Sequence, residues 1–317
     1  MTMLIVAICL IIIEWLYIKV ARRLGIVAEV NERSSHSRST PTAGGILYVI
    51  AACAFAADNA AGLSSDWWWT LAGGLILSAV SMWDDIHPLP PLSRLLIQIF
   101  VLCLAFKSYC YPQALHVYVL TVTSCICCIN AFNFIDGIRC MLAFYGLTVL
   151  LTLIWAAELY TPDLCGEMVV LCEWMLVATV AFICFNIGDK VFAGDVGAIT
   201  LGYYIAFILV TLIVRTHDAS MFILTIVALF DTCMTVLQRL FAGYNILLPH
   251  RMNVYQVLTS KWGLTHLTVS GAYAVIQLVI SAAYFAIPVT FHWFYTLMVV
   301  AVLTVVYFTI RRSPRSL

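Results

Sequence analysis

The segment Gly197-Ala-Ile-Thr-Leu-Gly-Tyr-Tyr-Ile-Ala-Phe-Ile-Leu-Val-Thr-Leu-Ile-Val214 runs for eighteen residues without a charged side chain. An α-helix needs about 20 such residues to cross the hydrocarbon core of a bilayer. The whole chain has the same character, because 63% of its 317 residues are hydrophobic and only 10% are charged. Its mean hydropathy is +1.01. This composition predicts an integral membrane protein, and the zero formal net charge argues against a nucleic-acid-binding protein.

Further apolar segments lie on both sides of this one. All are predicted to be helices, because backbone amides in lipid need hydrogen-bond partners within their own segment. The sequence therefore predicts an all-α polytopic membrane helix bundle of about 11 transmembrane helices, formed as one domain over 1–317. The predicted spans are 3–20, 44–62, 67–83, 94–110, 114–130, 141–157, 167–186, 197–214, 219–238, 268–287 and 291–310.

The basic residues predict how the chain is oriented. If the N-terminus lies outside, fourteen of the sixteen Lys and Arg residues fall in cytoplasmic segments, and only Lys107 and Arg215 fall outside. Cytoplasmic segments of membrane proteins carry such an excess, so we predict an outer N-terminus and a cytoplasmic C-terminus. Arg22 and Arg23 follow the first apolar run instead of preceding it, so this run is interpreted as a retained span and not as a secretory signal.

The twelve cysteines lie mostly inside apolar runs, as Cys125, Cys127 and Cys128 do. No Cys-x-x-Cys pair has histidine partners at the spacing that zinc sites use. A cysteine in such a position usually serves as a small buried apolar residue. We therefore expect neither disulfides nor a metal cluster at the cysteines.

Acidic residues mark two of the segments predicted to be cytoplasmic. Asp84 and Asp85 directly follow the third span, and Asp195 lies in Gly194-Asp-Val-Gly197. Adjacent carboxylates at a membrane boundary are costly unless they are solvated or neutralised by cations. Mg²⁺ binds through one or two carboxylates together with substrate phosphates, so these three acids are candidate ligands or catalytic groups. The alternative is that Asp84 and Asp85 only mark a solvated helix end.

Polar residues also recur at the end of the fifth predicted span. Asn130, Asn133 and Asp136 are spaced three apart, so they share one face if the helix continues past the span, and Gly137 can then end it. These residues are candidates for substrate binding. The alternative is that they cap a helix terminus.

Three further acids, Glu14, Glu173 and Asp231, lie within or near the predicted spans. Acids inside a membrane are functional candidates by default. No partner for Glu14 or Glu173 is visible in the sequence, so both are left unassigned. Asp231 is closer to the middle of its span, and we expect it to face the protein interior.

Basic residues of two loops form a candidate phosphate-binding set. The guanidinium of arginine carries a fixed fork of donors that suits phosphate oxygens. The alternative is that these residues only anchor the cytoplasmic side of the chain. The candidates are Arg33, His36, Arg38, His250 and Arg251.

Together these loops resemble those of the polyprenyl-phosphate N-acetylhexosamine-1-phosphate transferases, a bacterial membrane family within glycosyltransferase family 4. The family includes the enzymes that start O-antigen synthesis and the phospho-MurNAc-pentapeptide transferase. The resemblance covers roughly 1–310, and two loops are more similar to the O-antigen-initiating branch. The matching motifs, in family order, are Thr40-Pro-Thr-Ala-Gly-Gly45, Asp84-Asp85, Asn130-x-x-Asn-x-x-Asp-Gly137 and Gly194-Asp-Val-Gly197, and the branch-like loops are Arg33-Ser-Ser-His36 and Pro249-His-Arg251.

The resemblance implies transfer of a sugar-1-phosphate from a UDP-N-acetyl sugar to undecaprenyl phosphate, with release of UMP. It places the protein in the bacterial inner membrane with a cytoplasmic active site, and a homodimer is left open. It implies Mg²⁺, with Mn²⁺ as an alternative, bound by Asp195 and Asp85, and it makes Asp84 the base for the lipid phosphate. Because two anionic substrates repel each other, such a site supplies mainly cations and alignment. The residues implied near the pyrophosphate and the nucleotide are His250, Arg251, Asn186 and Phe192.

Two positions depart from the family pattern. Arg139 stands where the family commonly has the second acid of Asp-Gly-x-Asp-Gly, and Asn253 stands where the late motif often carries a second histidine. These changes leave open an altered donor choice, a weakened activity or a degenerate non-catalytic paralogue. A secondary transporter is the other alternative, but transporters usually bind substrate near the bilayer midplane, whereas these motifs lie at span ends.

Overall fold

The structure is a computed structural model that describes residues 2–28, 39–107, 115–162, 166–245 and 251–312. These residues form twelve α-helices, two 3₁₀ helices (Ala219–Thr225 and Val289–Phe291) and two short antiparallel strands, β1 (Val27–Ala28) and β2 (Thr40–Pro41). The α-helices are α1 (Thr2–Leu24), α2 (Ile46–Asn59), α3 (Ser65–Ile86), α4 (Pro91–Ala105), α5 (Leu115–Ile135), α6 (Met141–Tyr160), α7 (Gly166–Asn186), α8 (Gly194–Thr216), α9 (Ile226–Phe241), α10 (Val254–Ser260), α11 (His266–Ala286) and α12 (His292–Arg312).

Helix α8 is the centre of the bundle. It contains the charge-free run 197–214, and 94% of its most apolar 18-residue stretch is buried inside the protein. It packs against α2, α3, α5 and α6. Helices α1 and α12 lie at the periphery. In each of them, only 17% of the most apolar 18-residue stretch is buried. Their apolar surfaces therefore face lipid, as expected of a bundle whose solvent is a bilayer.

The structure confirms a polytopic helical bundle and corrects the length of two predicted spans. Eight helical segments of the described chain are long and apolar enough to cross a membrane. The predicted spans 44–62 and 94–110 contain shorter helices, because α2 covers only Ile46–Asn59 and α4 covers only Pro91–Ala105. Ala60 and Ala61 lie in the turn after α2, and Phe106 lies in the turn after α4, so apolar residues outside the helices made both predicted spans too long. The number of crossings and the orientation stay predictions.

The fifth predicted span illustrates the opposite error. The predicted span ends at residue 130, whereas α5 continues to Ile135. The helix therefore carries Asn130 and Asn133, as the three-residue spacing predicted, whereas Asp136 lies in the turn that follows, one residue before Gly137.

Candidate active site

Four helix ends meet at one end of the bundle. The last turn of α3 carries Asp84 and Asp85, the first turn of α4 carries Arg94, the last turn of α5 carries Asn133, and the first turn of α8 carries Asp195. Hydrogen bonds connect these side chains to one another. The structure thus brings together Asp84, Asp85 and Asp195, the three acids that the sequence singled out as candidate ligands or catalytic groups. Asp136, in the turn after α5, lies close enough to interact with the charges of Asp195 and Asp85, and we call these four residues the acidic centre.

Arg94 bridges two acids of this centre. Its Nη1 atom lies 2.7 Å from Asp84 Oδ2 and 3.1 Å from Asp195 Oδ2. The other oxygen of Asp84 accepts the Leu89 N–H at 2.6 Å. Sequence reasoning missed this role and counted Arg94 only as a cytoplasmic anchor. The sequence contained one indication of this role. Arg94 lies one turn after Pro91 and only a few residues after the two aspartates, and a short turn returns α4 toward the end of α3.

Asp85 fixes the start of α8. Its two carboxylate oxygens accept the N–H groups of Asp195 and Val196 at 2.9 and 3.0 Å. The first amides of a helix have no partner within the helix, and a carboxylate there also interacts favourably with the helix dipole. Gly194 permits this approach, since its φ is +71° and a Cβ there would lie 2.6 Å from Asp85 Oδ2. The Gly-Asp-Val motif therefore forms a helix start whose first amides bind the carboxylate of Asp85.

Helices α2 and α8 touch through two glycines. A Cβ on Gly45 would collide with the Cα of Gly197. Beside this contact, the 40–45 segment hydrogen-bonds to the chain before α8. The Phe192 N–H donates to the Pro41 carbonyl at 2.9 Å, and the Gly44 and Gly45 N–H groups donate to the Phe192 and Ala193 carbonyls, each at 2.9 Å. The Thr40–Gly45 motif thus shapes the entry to α8.

The polar residues of α5 approach the acidic centre to different degrees. Asn133 Nδ2 donates to Asp195 Oδ1 at 2.8 Å. Asn130 lies one turn earlier and donates to Gln98 Oε1 at 3.0 Å. Burial raises the pKa of the Asp136 carboxyl well above its usual range, and the negative charges of Asp195 and Asp85 raise it further. A cation bound among these carboxyl groups would relieve the repulsion between their charged forms.

The donor set suits a hard divalent cation completed by substrate oxygens. Within the described residues, no group of three or more His, Cys, Asp or Glu side chains is arranged to hold a metal ion alone. Asp195 is nevertheless flanked by Asp84, Asp85 and Asp136, and Arg94 already places one positive charge between two of these carboxylates. Mg²⁺ commonly takes one or two protein carboxylates and obtains its other ligands from phosphates and water. The residues present fit that arrangement.

Asn186 and Phe192, implied to lie near the nucleotide, flank the turn between α7 and α8. Asn186 is 5% exposed, accepts the Cys140 N–H with Oδ1 and donates to the Val191 carbonyl with Nδ2, both at 2.8 Å. It therefore clamps the 136–140 turn to the 187–193 turn. The Phe192 side chain is half-buried. A nucleotide contact of either residue stays a prediction.

Arg139, which departs from the family pattern, is paired with an acid. Its Nη1 atom lies 2.6 Å from Asp189 Oδ2, on the neighbouring turn. Both side chains are partly exposed, 26% for Arg139 and 47% for Asp189. The reversed charge at position 139 is thus compensated by a second residue, which sequence reasoning did not connect with it.

Asp231, a buried acid on α9, fixes the start of α10. Asp231 is 3% exposed, and its oxygens accept the Val254 N–H and the Tyr273 hydroxyl, each at 2.8 Å. Asp231 therefore faces the interior, as the sequence suggested. Asn253 is 2% exposed, and its amide donates to the Phe134 carbonyl at 3.3 Å, so it joins α10 to the end of α5.

Four of the predicted phosphate-binding residues are not placed by the structure. Arg33, His36, Arg38 and His250 lie outside the described residues. Arg251 is described and has an exposed side chain just before α10. Phosphate binding by these residues stays a prediction.

Comparison with known proteins agrees with these motifs. The family model for glycosyl transferase family 4 matches residues 67–213, which contain Asp84, Asp85, the Asn130–Gly137 motif and Asp195. The chain is also 25% identical over 273 residues, 78% of this chain and 73% of the relative, to a protein of Bacillus subtilis (strain 168) named "Probable undecaprenyl-phosphate N-acetylglucosaminyl 1-phosphate transferase". Motifs, fold and both matches support one reading: the chain is similar to the polyprenyl-phosphate hexosamine-1-phosphate transferases of glycosyl transferase family 4.

Proposed function

We propose that this protein transfers an N-acetylhexosamine-1-phosphate from a UDP-N-acetyl sugar to undecaprenyl phosphate, releasing UMP and starting a cell-surface polysaccharide on a lipid carrier. The observation that carries the proposal is the acidic centre, in which Asp84, Asp195 and Asn133 meet Arg94 at one bundle end. The site is proposed to face the cytoplasm from a bacterial inner membrane, where both substrates are available. O-antigen synthesis is the pathway that the branch-like loops favour.

The reaction forms one bond and breaks one bond. An oxygen of the lipid phosphate attacks the phosphorus that carries the sugar, the bond from that phosphorus to the bridging oxygen breaks, and UMP leaves. Asp84 is the proposed base for the lipid phosphate, and Arg94 beside it can bind a phosphate oxygen and so bring that phosphate to the carboxylate. Asp195 would hold Mg²⁺, which supplies positive charge to the diphosphate when bound. Asp85 is proposed to act at the same ion and fixes the helix start that presents Asp195.

The test uses the full chain purified in detergent with undecaprenyl phosphate, Mg²⁺ and a panel of UDP-N-acetyl sugars. UDP-N-acetylglucosamine comes first, because the Bacillus subtilis relative is named for that sugar. We expect UMP and a lipid-linked sugar pyrophosphate with one donor, lost on chelation, restored by Mg²⁺ or Mn²⁺, and lost in Asp195→Asn. The matched control is Glu173→Gln, since Glu173 is an exposed acid on α7, away from the centre.

The absence of product with every sugar, beside a working family member, would contradict the proposal. That outcome would favour the non-catalytic paralogue, and vectorial uptake of a solute by proteoliposomes would favour the transporter. The mass of the purified particle would show whether the protein forms a homodimer.

A further inference from the structure

Helix α1 packs against the bundle along one stripe, and an acid lies in the middle of that stripe. Its buried residues are Leu10, Glu14, Ile18 and Ala21, which recur at helical spacing on one face. Much of the remaining surface of α1 is exposed and apolar. The other three stripe positions are apolar, so packing alone would be satisfied by an apolar residue at position 14.

Among the residues that the structure describes, Glu14 has no hydrogen-bond partner. The residue is 0% exposed, and neither carboxyl oxygen is bonded to any of these described residues. Burial of a carboxyl without compensation costs several kcal/mol, even when the group is neutral. A group of this kind requires an explanation, and sites under functional constraint are where such costs are tolerated.

The carboxyl of Glu14 lies against the segment that shapes the entry to α8. A Cβ on Gly44 would be 2.5 Å from Glu14 Oε1 and 3.2 Å from the Phe192 carbonyl oxygen. One turn along α1, the Tyr17 hydroxyl donates to the Thr42 carbonyl at 2.7 Å. The buried face of α1 therefore presents two polar side chains to the 40–45 segment.

A continuous set of contacts leads from this face to the acidic centre. Gly44 donates to the Phe192 carbonyl, and the chain then turns at Gly194 into the first amides of α8, which Asp85 binds. Tyr17 also lies within electrostatic range of both Glu14 and Asp85. A shift of Gly44 would therefore move the residues that set Asp195 against Asp85.

We propose that Glu14 is a positioning residue of the acidic centre. Its side chain packs against Gly44, and this contact sets the position of Gly44 and of the 192–194 turn so that Asp195 lies beside Asp85. The inference rests on the proposed transferase function, although Glu14 contacts no reacting group. It predicts an unusual combination, in which removal of the carboxyl makes the protein more stable and less active.

The test compares Glu14→Leu, Glu14→Gln and the control Glu173→Leu in the full chain. We expect Glu14→Leu to unfold at a higher temperature, because an apolar side chain replaces an unpaired polar one. Its kcat should fall about 10- to 100-fold, as for other residues that orient a catalytic group, while the KM for the UDP-sugar changes little. Glu14→Gln keeps the size and polarity of the side chain and should restore most of kcat. Glu173→Leu should leave kcat unchanged.

Hydrogen exchange gives a second measurement that does not depend on turnover. The amides of Asp195 and Val196 should exchange faster in Glu14→Leu than in wild type, despite the higher unfolding temperature. Unchanged exchange at these amides, unchanged kcat, or a lower unfolding temperature with a proportional loss of activity would each overturn the proposal. If the wild-type protein transferred no sugar phosphate, the proposed function would fail, and the exchange rates would still decide the role of Glu14.

Discussion

Asp85 and Asp231 perform the same local task in two regions of the molecule. Asp85 accepts the first amides of α8, and Asp231 accepts the Val254 amide at the first residue of α10. Both carboxylates thereby satisfy N–H groups that a helix leaves without a partner at its start. Each fixes how one helix begins, although the two lie in different parts of the sequence.

The surroundings of the two carboxylates differ. Asp85 interacts electrostatically with Asp195 and Asp84, whereas Asp231 bonds to the Tyr273 hydroxyl and has Arg311 as its charged neighbour. Repulsion between acids is costly in a buried site, and it is relieved when a cation binds. The comparison teaches that a capping carboxylate by itself indicates structure, whereas a capping carboxylate among other acids indicates a site for cationic chemistry.

The largest expected effect is the loss of activity when Asp195, at the start of α8, is replaced. Asp195→Asn should lower kcat about 10³-fold, because it removes a charge from the proposed metal ligand. The unfolding temperature should change little, since the amide oxygen can still accept from Asn133, and Arg94, which loses its contact with position 195, keeps its shorter bond to Asp84. Steady-state kinetics and thermal unfolding of the same preparation check both parts. Activity within a few-fold of wild type would show that α8 does not carry the reactive acid.

The two capping carboxylates should respond differently to one substitution. In Asp85→Asn the new NH₂ group would face an amide donor, so one N–H loses its acceptor and unfolding becomes easier by about 1–3 kcal/mol. In Asp231→Asn the NH₂ group can face the Tyr273 hydroxyl, which is able to accept, so we expect a change below about 1 kcal/mol. Denaturant unfolding measures both variants. Equal losses would remove the distinction between the two regions.

Replacing Asp136 should change how the stability of the protein depends on pH. Its pKa in the folded protein is raised, so its ionised form opposes folding, and this cost grows as the pH rises from the usual Asp value toward the folded value. Asp136→Asn should therefore stabilise the protein at pH 8 more than at pH 5, by about 1 kcal/mol or more in the presence of a chelator. Unfolding at the two pH values checks the difference. A gain that is independent of pH would contradict it, and Mg²⁺ should reduce the gain.

The smallest expected effect concerns Arg139 and Asp189. A partly exposed ion pair contributes at most about 1 kcal/mol, so the two residues should couple weakly in a double-mutant cycle of unfolding with Arg139→Gln and Asp189→Asn. A coupling above about 2 kcal/mol would instead give this pair a structural weight comparable with that of the helix caps.

The sequence predicted some features of the fold and the site better than others. The charge-free run in α8 predicted a membrane helix because lipid imposes length and composition on any span. Asp84, Asp85 and Asp195 could be singled out as candidates because their motifs are local. Arg94 was misread, since a basic residue near a span end satisfies the orientation rule whether or not it binds an acid. The capping partners of Asp85 and Asp231 were invisible because they lie 110 and 23 residues away along the chain.

The contact between Gly45 and Gly197 determines how precisely the centre can be built. Two backbones meet there with no side chain between them, so no rotamer change can absorb a displacement of one helix relative to the other. At this contact, backbone atoms therefore set the distance between the start of α2 and α8. A single methyl group at either glycine would act as a wedge, separating the helix axes and carrying Asp195 away from the α3 aspartates. Even one added carbon atom at this contact is therefore expected to displace Asp195 from the acidic centre.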